Sequence, residues 1–278
     1  MRPGSADAGV DGGSVLTARK TPDSDWTFGV HGVRALLEAA PGDIRRLVIA
    51  DGIRNRQVSQ LIAMARESGV RLERVPRQAL DRFLRRAVSG MAGVEGDVTH
   101  QGVAAERHAF APASESALEA RWESFDDPLL VILDGIEDPR NLGACLRTAE
   151  AAGVNAVLIP RHGSAPLSAA AAKAASGALE RLFVVEVANL ARRMQWLRGQ
   201  GVWLSGGVDD PSAIAHTQVD YRGPAAIVVG GEGRGLRRLT RERCDHLVRI
   251  PMASAMPSLN VSVALGIILF EARRQRTP

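Results

Sequence analysis

Cysteines, aromatic residues and long apolar runs are all scarce in this chain of 278 residues. Its two cysteines, Cys145 and Cys244, lie far apart in apolar, helix-like segments, as is typical of small core residues in a reducing compartment. The six histidines have no metal-ligand spacing. No apolar run approaches the roughly 20 residues of a membrane span, and no signal-peptide pattern opens the sequence. We therefore expect a cytoplasmic protein with no membrane segment and no metal.

Positive charge comes mostly from arginine. The formal net charge is only +4, yet pairs of adjacent arginines recur along the chain: Arg45-Arg46, Arg85-Arg86, Arg192-Arg193, Arg237-Arg238 and Arg273-Arg274. Such clusters fit a partner rich in phosphate, nucleic acid above all. A solvated, arginine-rich surface would give the same pattern, so charge alone leaves both interpretations open.

The length allows about two domains, and the sequence pattern changes once along the chain. Residues 1–25 are rich in Gly, Ser, Asp and Ala without periodicity, which predicts a disordered tail. Residues 26–106 predict a small α/β domain, and residues 107–127 predict a linker with one helical turn. In residues 128–278, apolar runs such as 129–133 alternate with amphipathic helices. That alternation predicts an α/β domain with a mostly parallel sheet between layers of helices.

Two predicted loops follow strands at the positions where open α/β sheets place their ligands. The first leads into a helix that carries Asn141 and Arg147, which taken alone could be a helix N-cap and a surface charge. The second, residues 230–235, has four glycines around Glu232, a carboxylate with no packing role there. Its glycine spacing is neither that of a dinucleotide site nor that of a P-loop.

A third loop, residues 250–260, leads into a helix that is almost wholly apolar over residues 261–270 and is therefore expected to be buried. We expect Ser258 to cap this helix. Ordinary capping does not explain why Asn260 and Ser262 also stand at the helix start. Several hydrogen-bonding side chains at a helix N-terminus suit a small polar or anionic ligand.

Together the loops resemble the three signature motifs of the SpoU, or TrmH-type, RNA ribose 2′-O-methyltransferases, in the family's order and separation. The matching segments are Asn141-Leu-Gly-Ala-Cys-Leu-Arg147, Gly230-Gly-Glu232-Gly-Arg-Gly-Leu and Ser258-Leu-Asn260-Val-Ser-Val-Ala. In the small α/β domain of residues 26–106, which we call the front module, two segments resemble the family's L30e-like substrate-binding domain: Gly29-Val-His-Gly-Val and His100-Gln-Gly-Val-Ala. The resemblance is closest to the branch that methylates a guanosine of bacterial 23S rRNA.

The resemblance implies a C-terminal, trefoil-knotted α/β methyltransferase domain of the SPOUT type, preceded by the small L30e-like domain. It implies an enzyme that transfers a methyl group from S-adenosylmethionine to the ribose 2′-hydroxyl of a guanosine in 23S rRNA. The cofactor would bind to backbone around Gly230, Ile250 and Leu259, and no metal would be needed. Family members are homodimers whose active sites form between the knots, so a homodimer is expected here.

The resemblance also assigns roles to five side chains. In similar enzymes the arginine that matches Arg147 is assigned either as the base or as a group that acts with the substrate phosphate. Because an arginine stays protonated and is a poor base, we expect Arg147 to bind phosphate and stabilise the alkoxide, while the proton leaves to phosphate or water. Asn141 would hold Arg147 or the ribose. Glu232 would orient the nucleophile or pair with Arg147, within one protomer or across the dimer. Ser258 and Asn260 would order the cofactor loop and the reacting ribose.

Two alternative functions remain open at this point. A tRNA ribose methyltransferase of the same family would use the same chemistry, although the L30e-like module argues against it. A non-catalytic RNA-binding factor for ribosome assembly would use the same fold. The presence of all five side chains argues against that second alternative.

Overall fold

The computed structural model describes residues 24–53, 55–88, 100–108, 110–253 and 258–277. The predicted tail therefore lies, up to residue 23, outside the described residues. The described residues form two β-sheets, one of four strands and one of seven. None of the described helices combines the length and the apolar character needed to cross a bilayer.

The first part of the chain builds the smaller sheet. Its strands are β1 (Ser24–Phe28), β2 (Ile44–Ala50), β3 (Leu72–Val75) and β4 (Val103–His108), in the order β1-β4-β2-β3. Its helices are α1 (Val30–Ala39), α2 (Arg56–Glu67) and α3 (Arg77–Val88). Leu36 of α1, Leu47 of β2 and Leu61 of α2 share one buried cluster, while Leu80 and Leu84 of α3 belong to a second. The sheet is thus covered on both faces.

Residues 107–127, predicted to be a linker, contain more regular structure than one helical turn. After the end of β4, Ser114 caps helix α4 (Glu115–Arg121) by accepting a hydrogen bond from the Ala117 amide at 3.2 Å. A 3-10 turn follows at Trp122–Ser124. Leu118 is fully buried against the larger sheet. The segment therefore joins the two sheets and also contributes a helix to the second.

The larger sheet is parallel throughout the described residues. Its strands are β5 (Leu129–Asp134), β6 (Ala156–Pro160), β7 (Val184–Val187), β8 (Trp203–Gly207), β9 (Ile214–Ala215), β10 (Ala225–Gly230) and β11 (His246–Arg249). Their order is β7-β6-β5-β10-β8-β11-β9. The helices around it, besides α4, are α5 (Pro139–Ala151), α6 (Ala169–Ala175), α7 (Leu190–Gly199), α8 (Arg238–Arg243) and α9 (Val261–Arg276).

Strand β5 shows how the two faces of this sheet are filled. Val131 and Leu133 point to the layer that contains α5, α6 and α9. Leu130 and Ile132 point to the opposite layer, which contains α4 and α7. Every residue of β5 is buried, as its continuous apolar run predicts for a strand covered on both faces. Each such side chain contributes about 1.5–3 kcal/mol to the free energy of unfolding.

Helices α5 and α6 lie so close that one glycine is required between them. A Cβ atom at Gly143 would stand 2.3 Å from the carbonyl oxygen of Ala171 and 2.5 Å from the Cβ of Ala174. Real Cβ atoms do not approach other atoms so closely. Gly143 therefore belongs to the first sequence motif for a packing reason.

Helix α9 differs from the prediction that it would be buried. Leu265 and Leu269 are fully buried on one side, but Val263, Ile267 and Phe270 are 50%, 36% and 49% exposed. Their i, i+4, i+7 spacing places these three side chains on one face, which we call the α9 stripe. The apolar composition of the helix thus serves two surfaces, one inside this chain and one facing outward.

The last turn of α9 binds two other segments of the chain. The guanidinium of Arg276 donates hydrogen bonds to the carbonyl oxygens of Asp127 at 2.6 Å, Tyr221 at 2.8 Å, and Gly223. The neighbouring Gln275 accepts from the amide of Tyr221 at 2.9 Å. These contacts fix the end of the helix against the entry to β5 and the segment before β10.

Candidate functional site

The loops after β5 and β10 are held together by glycine backbone at the carboxyl edge of the larger sheet. The amide of Gly231 donates to the carbonyl oxygen of Asp134 at 3.1 Å. A Cβ at Gly231 would lie 2.2 Å from the carbonyl oxygen of Gly135, and one at Gly230 would lie 2.1 Å from the carbonyl of Gly235. The glycines therefore let the second loop fold onto itself and onto the first.

Asn141, Glu232 and Asn260 form a closed triangle of hydrogen bonds, which we call the amide–carboxylate cluster. Asn141 Nδ2 donates to Glu232 Oε1 at 2.7 Å. Asn260 Nδ2 donates to Glu232 Oε1 and to Asn141 Oδ1, both at 3.0 Å. An ionised carboxylate can only accept, so both amides must turn their NH2 groups toward Glu232. One residue from each sequence motif thus meets the other two.

Asn260 also caps α9, which corrects the prediction that Ser258 would do so. Its Oδ1 accepts from the amide of Ser262 at 2.9 Å and from the Ser262 hydroxyl at 2.6 Å. The helix begins at Val261, so the cap position falls on Asn260, and asparagine is as good a cap as serine. Ser258 is exposed at the rim of a cleft. The residues just before it, 254–257, lie outside the described part of the chain.

Asn141 is not the N-cap of α5. Asp138 fills that position by accepting from the amide of Arg140 at 2.8 Å, and Pro139 takes the first helical position. Hydrogen bonding from the Arg140 side chain lowers the pKa of the Asp138 carboxyl most, and the hydrogen bond from the Arg140 amide lowers it further. With the cap supplied elsewhere, the Asn141 side chain is available to the cluster.

Arg147 stands apart from the cluster in its own chain. It follows Asn141 by six residues, which places it about 9 Å further along α5. The side chain is exposed and has neither a hydrogen bond nor an ion pair with any described residue. Asn141 therefore holds Glu232 and Asn260 in this chain, and it does not hold Arg147.

A cleft of about 720 Å³ opens beside the cluster. All three residues predicted to bind the cofactor, Gly230, Ile250 and Leu259, line it, and Ser258, Glu232 and Asn260 stand along it. Further apolar lining comes from Val229, Leu236, Val248, Ala264 and Ile268. The volume falls in the range of about 300–1,000 Å³ that is usual for sites of small organic ligands.

Three charged residues of this cleft were not predicted: Asp209, Arg234 and Arg241, of which Arg241 pairs with Asp210 at 2.6 Å. Asp209 and Arg234 both line it, are exposed, and have no ion pair within the described residues. Arg234 could have been found from its position inside the glycine-rich loop. Asp209 follows β8 in a loop without any distinctive pattern, so the sequence offered no signal for it.

Cys145 lies beneath the cluster and takes no part in its chemistry as a nucleophile. It is fully buried. Burial raises the pKa of its thiol to about 12, and the negative charge of Glu232 acts in the same direction. The group is therefore a neutral thiol at physiological pH, which excludes a reactive thiolate at this position. No group of three or more His, Cys, Asp or Glu side chains in the described ranges could hold a metal ion.

Two family models match the chain. The first, described as the SpoU rRNA Methylase family, matches residues 128–270. The second, described as RNA 2'-O ribose methyltransferase substrate binding, matches residues 26–113. The two matches correspond to the parts of the chain that carry the larger and the smaller sheet.

Several curated relatives are similar over most of the chain. The 23S rRNA (guanosine-2'-O-)-methyltransferase RlmB of Xanthomonas campestris pv. campestris is 46% identical over 254 residues, covering 91% of this chain and 97% of the relative. The protein of that name from Escherichia coli K12 is 43% identical, with coverage of 91% and 100%.

Solved structures show the same fold. An rRNA methyltransferase from Sinorhizobium meliloti with bound AdoMet superposes with a TM-score of 0.71 at 25% identity, covering 92% of this chain and 89% of that one. The SpoU methyltransferase AviRb of Streptomyces viridochromogenes, in complex with AdoMet, gives 0.72 at 22% identity, covering 92% and 91%. At that identity, the second likeness concerns the fold alone.

Proposed function

The chain belongs to the SpoU rRNA Methylase family, and from that premise we propose that it methylates the ribose 2′-hydroxyl of a guanosine in 23S rRNA, using S-adenosylmethionine. The names of relatives that are 43–46% identical over 91% of the chain support this substrate. The structural observation that carries the proposal is the amide–carboxylate cluster at the edge of a cleft large enough for the cofactor.

The lining of the 720 Å³ cleft fits S-adenosylmethionine. Leu236, Ile250 and Leu259 offer apolar surface for an adenine ring, and the backbone of the glycine-rich loop offers polar groups without side chains in the way. The bound cofactor supplies an electrophilic methyl group on a positively charged sulfur. The protein must then hold the ribose 2′-hydroxyl of the RNA in line with the bond between that methyl group and the sulfur.

Glu232 has the geometry to orient that hydroxyl. Its Oε1 accepts from Asn141 and from Asn260, whereas its Oε2 has no donor among the described residues. Oε2 is therefore available to accept a hydrogen bond from the ribose 2′-hydroxyl, while the two amides hold the carboxylate in one orientation. Asn260 links this carboxylate to the start of α9, and Ser258 would order the cofactor loop.

Arg147 would act on the phosphate next to the reacting ribose. It is exposed and has no ion-pair partner in the part of the chain that the structure describes, so its guanidinium is available for a charge-assisted, bidentate contact. A fixed positive charge near the ribose also stabilises the alkoxide that develops as the proton leaves. Arg234, on the rim of the cleft, could contact the RNA in the same way.

A homodimer explains why Arg147 lies away from the cluster in its own chain. The exposed α9 stripe, Val263, Ile267 and Phe270, gives an apolar face for a second copy, and α9 packs against α5, which carries Arg147. In such a dimer, Arg147 of one protomer would reach the cluster of the other. We extend the proposal to a trefoil knot within residues 128–278, an L30e-like RNA-binding domain at 26–106 joined by residues 107–127, and a cytoplasmic location.

Methyl transfer to defined RNAs tests the central proposal. Purified protein is incubated with labelled S-adenosylmethionine and either unmodified 23S rRNA or unmodified tRNA, and any 2′-O-methyl site is mapped. We expect a single labelled guanosine in 23S rRNA. Label in tRNA alone would overturn the substrate and favour the tRNA enzyme. Cofactor binding without label in either RNA or in assembling large subunits would favour the non-catalytic factor.

Subunit mixing tests the shared active site. Arg147→Ala and Glu232→Ala proteins are each expected to be inactive. After subunits exchange, a hybrid dimer has one site with both residues intact, so an equal mixture should regain about a quarter of wild-type activity if the site is shared across a two-fold interface. An inactive mixture, with exchange verified by native mass spectrometry, would place Arg147 and Glu232 in the same protomer's site.

A further inference from the structure

A second, smaller cleft of about 220 Å³ lies between the two parts of the chain. One wall comes from the end of β1, the start of α1 and the turn before β4. The other comes from α6, which packs on α5 of the second part. Both motifs of the front module, Gly29-Val-His31 and His100-Gln101, border it. The methyl-transfer site does not use this interdomain cleft.

Gln101 is fixed at the cleft with its donor group unused. It adopts a left-handed backbone conformation, φ 51°, and its Oε1 accepts from the amide of Val30 at 2.9 Å. The turn is held by His100, whose Nδ1 accepts from the amide of Gly102 at 3.0 Å, so its Nε2 carries the proton toward Asp81 at 2.5 Å. The Nε2 of Gln101 has no acceptor among the described residues.

Thr27 adds an unsatisfied hydroxyl to the same wall. The residue is buried, and its Oγ1 has no hydrogen-bond partner in the described part of the chain. Leaving such a group unpaired is unfavourable, so a partner from outside the described residues is expected. Gly32 keeps the space beside it open, since a Cβ there would lie 3.0 Å from Thr27 Cγ2.

Lys173 supplies the charge from the opposite wall. It is one of only two lysines in a sequence whose positive charge is otherwise arginine. Its ammonium lies 5.3 Å from the centre of the Phe28 ring, and it pairs with no carboxylate of the described residues. A lysine ammonium is a compact charge that suits a phosphate oxygen. Neither aspartate nor glutamate lines the cleft to compete for it.

The size and chemistry of the cleft define one class of ligand. Its volume is below the roughly 300 Å³ at which sites for whole small molecules begin, so a part of a larger ligand is favoured. Amide, hydroxyl and imidazole groups can read the edge of a base, and Lys173 can bind its phosphate. We propose that the interdomain cleft binds one unpaired nucleotide of the RNA substrate. This inference rests on the proposed function, because it takes the ligand from that RNA.

The scarcity of lysine permits a direct measurement on the unmodified protein. The full chain is acetylated with an amine-reactive ester, alone and with saturating 23S rRNA, and Lys173 is quantified by mass spectrometry. We expect RNA to slow acetylation of Lys173 at least about fivefold relative to the N-terminal amine. Unchanged reactivity at saturation would overturn the inference. Equal protection by inorganic phosphate alone would reduce the cleft to a simple anion site and would also overturn it.

Substitutions separate RNA binding from chemistry. Lys173→Met and Gln101→Glu, which keeps the acceptor for Val30 but removes the donor, should each raise KM for 23S rRNA about tenfold with kcat unchanged. Lys173→Arg should restore most of the affinity. Arg192→Met is the matched control, since it removes one positive charge from α7 on the other face of the larger sheet.

The role of the interdomain cleft and the proposed function can be refuted independently of each other. If the wild-type protein methylates 23S rRNA while Lys173→Met and Gln101→Glu keep a normal KM, the interdomain cleft has no such role and the proposed function stands. If the wild-type protein methylates no RNA, the proposed function fails. A Lys173→Met protein that melts earlier and is not rescued by Lys173→Arg would assign Lys173 to packing between the two units, and the inference would fall.

Discussion

The amide–carboxylate cluster and the glycine contacts beneath it come from the same sequence motifs but meet different constraints. At the cluster, Asn141 and Glu232 are accessible and meet through side-chain hydrogen bonds. Beneath it, Gly143, Gly230 and Gly231 place backbone atoms where a Cβ would otherwise stand. Neighbouring residues of one motif therefore have different roles: some belong to the candidate site and others allow close packing. Activity and stability should respond to different substitutions within the same few residues.

Arg147→Ala should give the largest effect, and it should fall on activity alone. Losing a charge that stabilises the alkoxide should lower kcat by about 10²–10³-fold. The free energy of unfolding should not change, because the side chain is exposed and bonds to none of the described residues. Single-turnover methyl transfer and urea unfolding measure the two quantities, with cofactor binding as the control. Activity within tenfold of wild type would remove Arg147 from the mechanism.

Gly143→Ala should act on stability. Overpacking the contact between α5 and α6 should destabilise the protein by about 1–3 kcal/mol, even though alanine favours a helix. Gly199→Ala, in α7, is the matched control, because nothing lies within 4 Å of the added methyl group. That variant should be neutral or slightly stabilised. Equal urea midpoints for the two variants would contradict the idea of a glycine-dependent contact.

Asn260 belongs to both regions, so two substitutions should separate its roles. Asn260→Ala removes the cap of α9 and should lower the free energy of unfolding by about 1 kcal/mol. Asn260→Ser keeps a side-chain oxygen that can accept from Ser262 but loses the NH2 that donates to Glu232, and it adds no second charge beside that carboxylate. It should therefore keep normal stability while methyl transfer falls. Equal losses of stability in both variants would show that capping is not the structural role of Asn260.

Raising the pH to ionise the two thiols should give the smallest effect, and this effect should depend only on their burial in the packed protein. Burial raises the pKa of Cys145 and of Cys244 to about 12, so the neutral form is favoured in the folded state. Near pH 7 these groups leave stability unchanged, because thiols are neutral in both states. Above the usual thiol pKa of about 8.5, unfolded thiols ionise and stability should fall as pH rises. Disulfide-exchange reagents at pH 8 should label folded protein far more slowly than unfolded protein.

Much of the larger sheet can be predicted from local sequence, because its strands are unbroken apolar runs such as β5 and β10. The strands β1 and β4 of the smaller sheet carry no such signal. The second half of β4, with Glu106 and Arg107, is charged, and its pairing with β1 joins residues about 80 positions apart. Segments of that kind become strands because a distant partner is available, and local periodicity does not contain that information.

The candidate site shows the same limit at the level of single residues. Asn141 and Asn260 are 119 residues apart, so only the family resemblance could place them together. Both Ser258 and Asn260 are residue types that suit a helix cap, and a shift of two residues in the helix start decides between them, which local sequence does not fix. The α9 stripe could not be predicted because apolar composition indicates burial without saying which side of the helix this chain covers.

The contacts of Arg276 have a consequence for when this protein can finish folding. Asp127, Tyr221 and Gly223 leave the ribosome before α9, which supplies the guanidinium that binds their carbonyl groups. Synthesis runs at about 5–20 residues per second, so seconds pass between the translation of the earlier strands and the translation of α9. Until α9 has been translated, the buried side of α5 and one face of β10 lack the helix that packs on them. The candidate site therefore forms late in synthesis, after the smaller sheet has had time to fold.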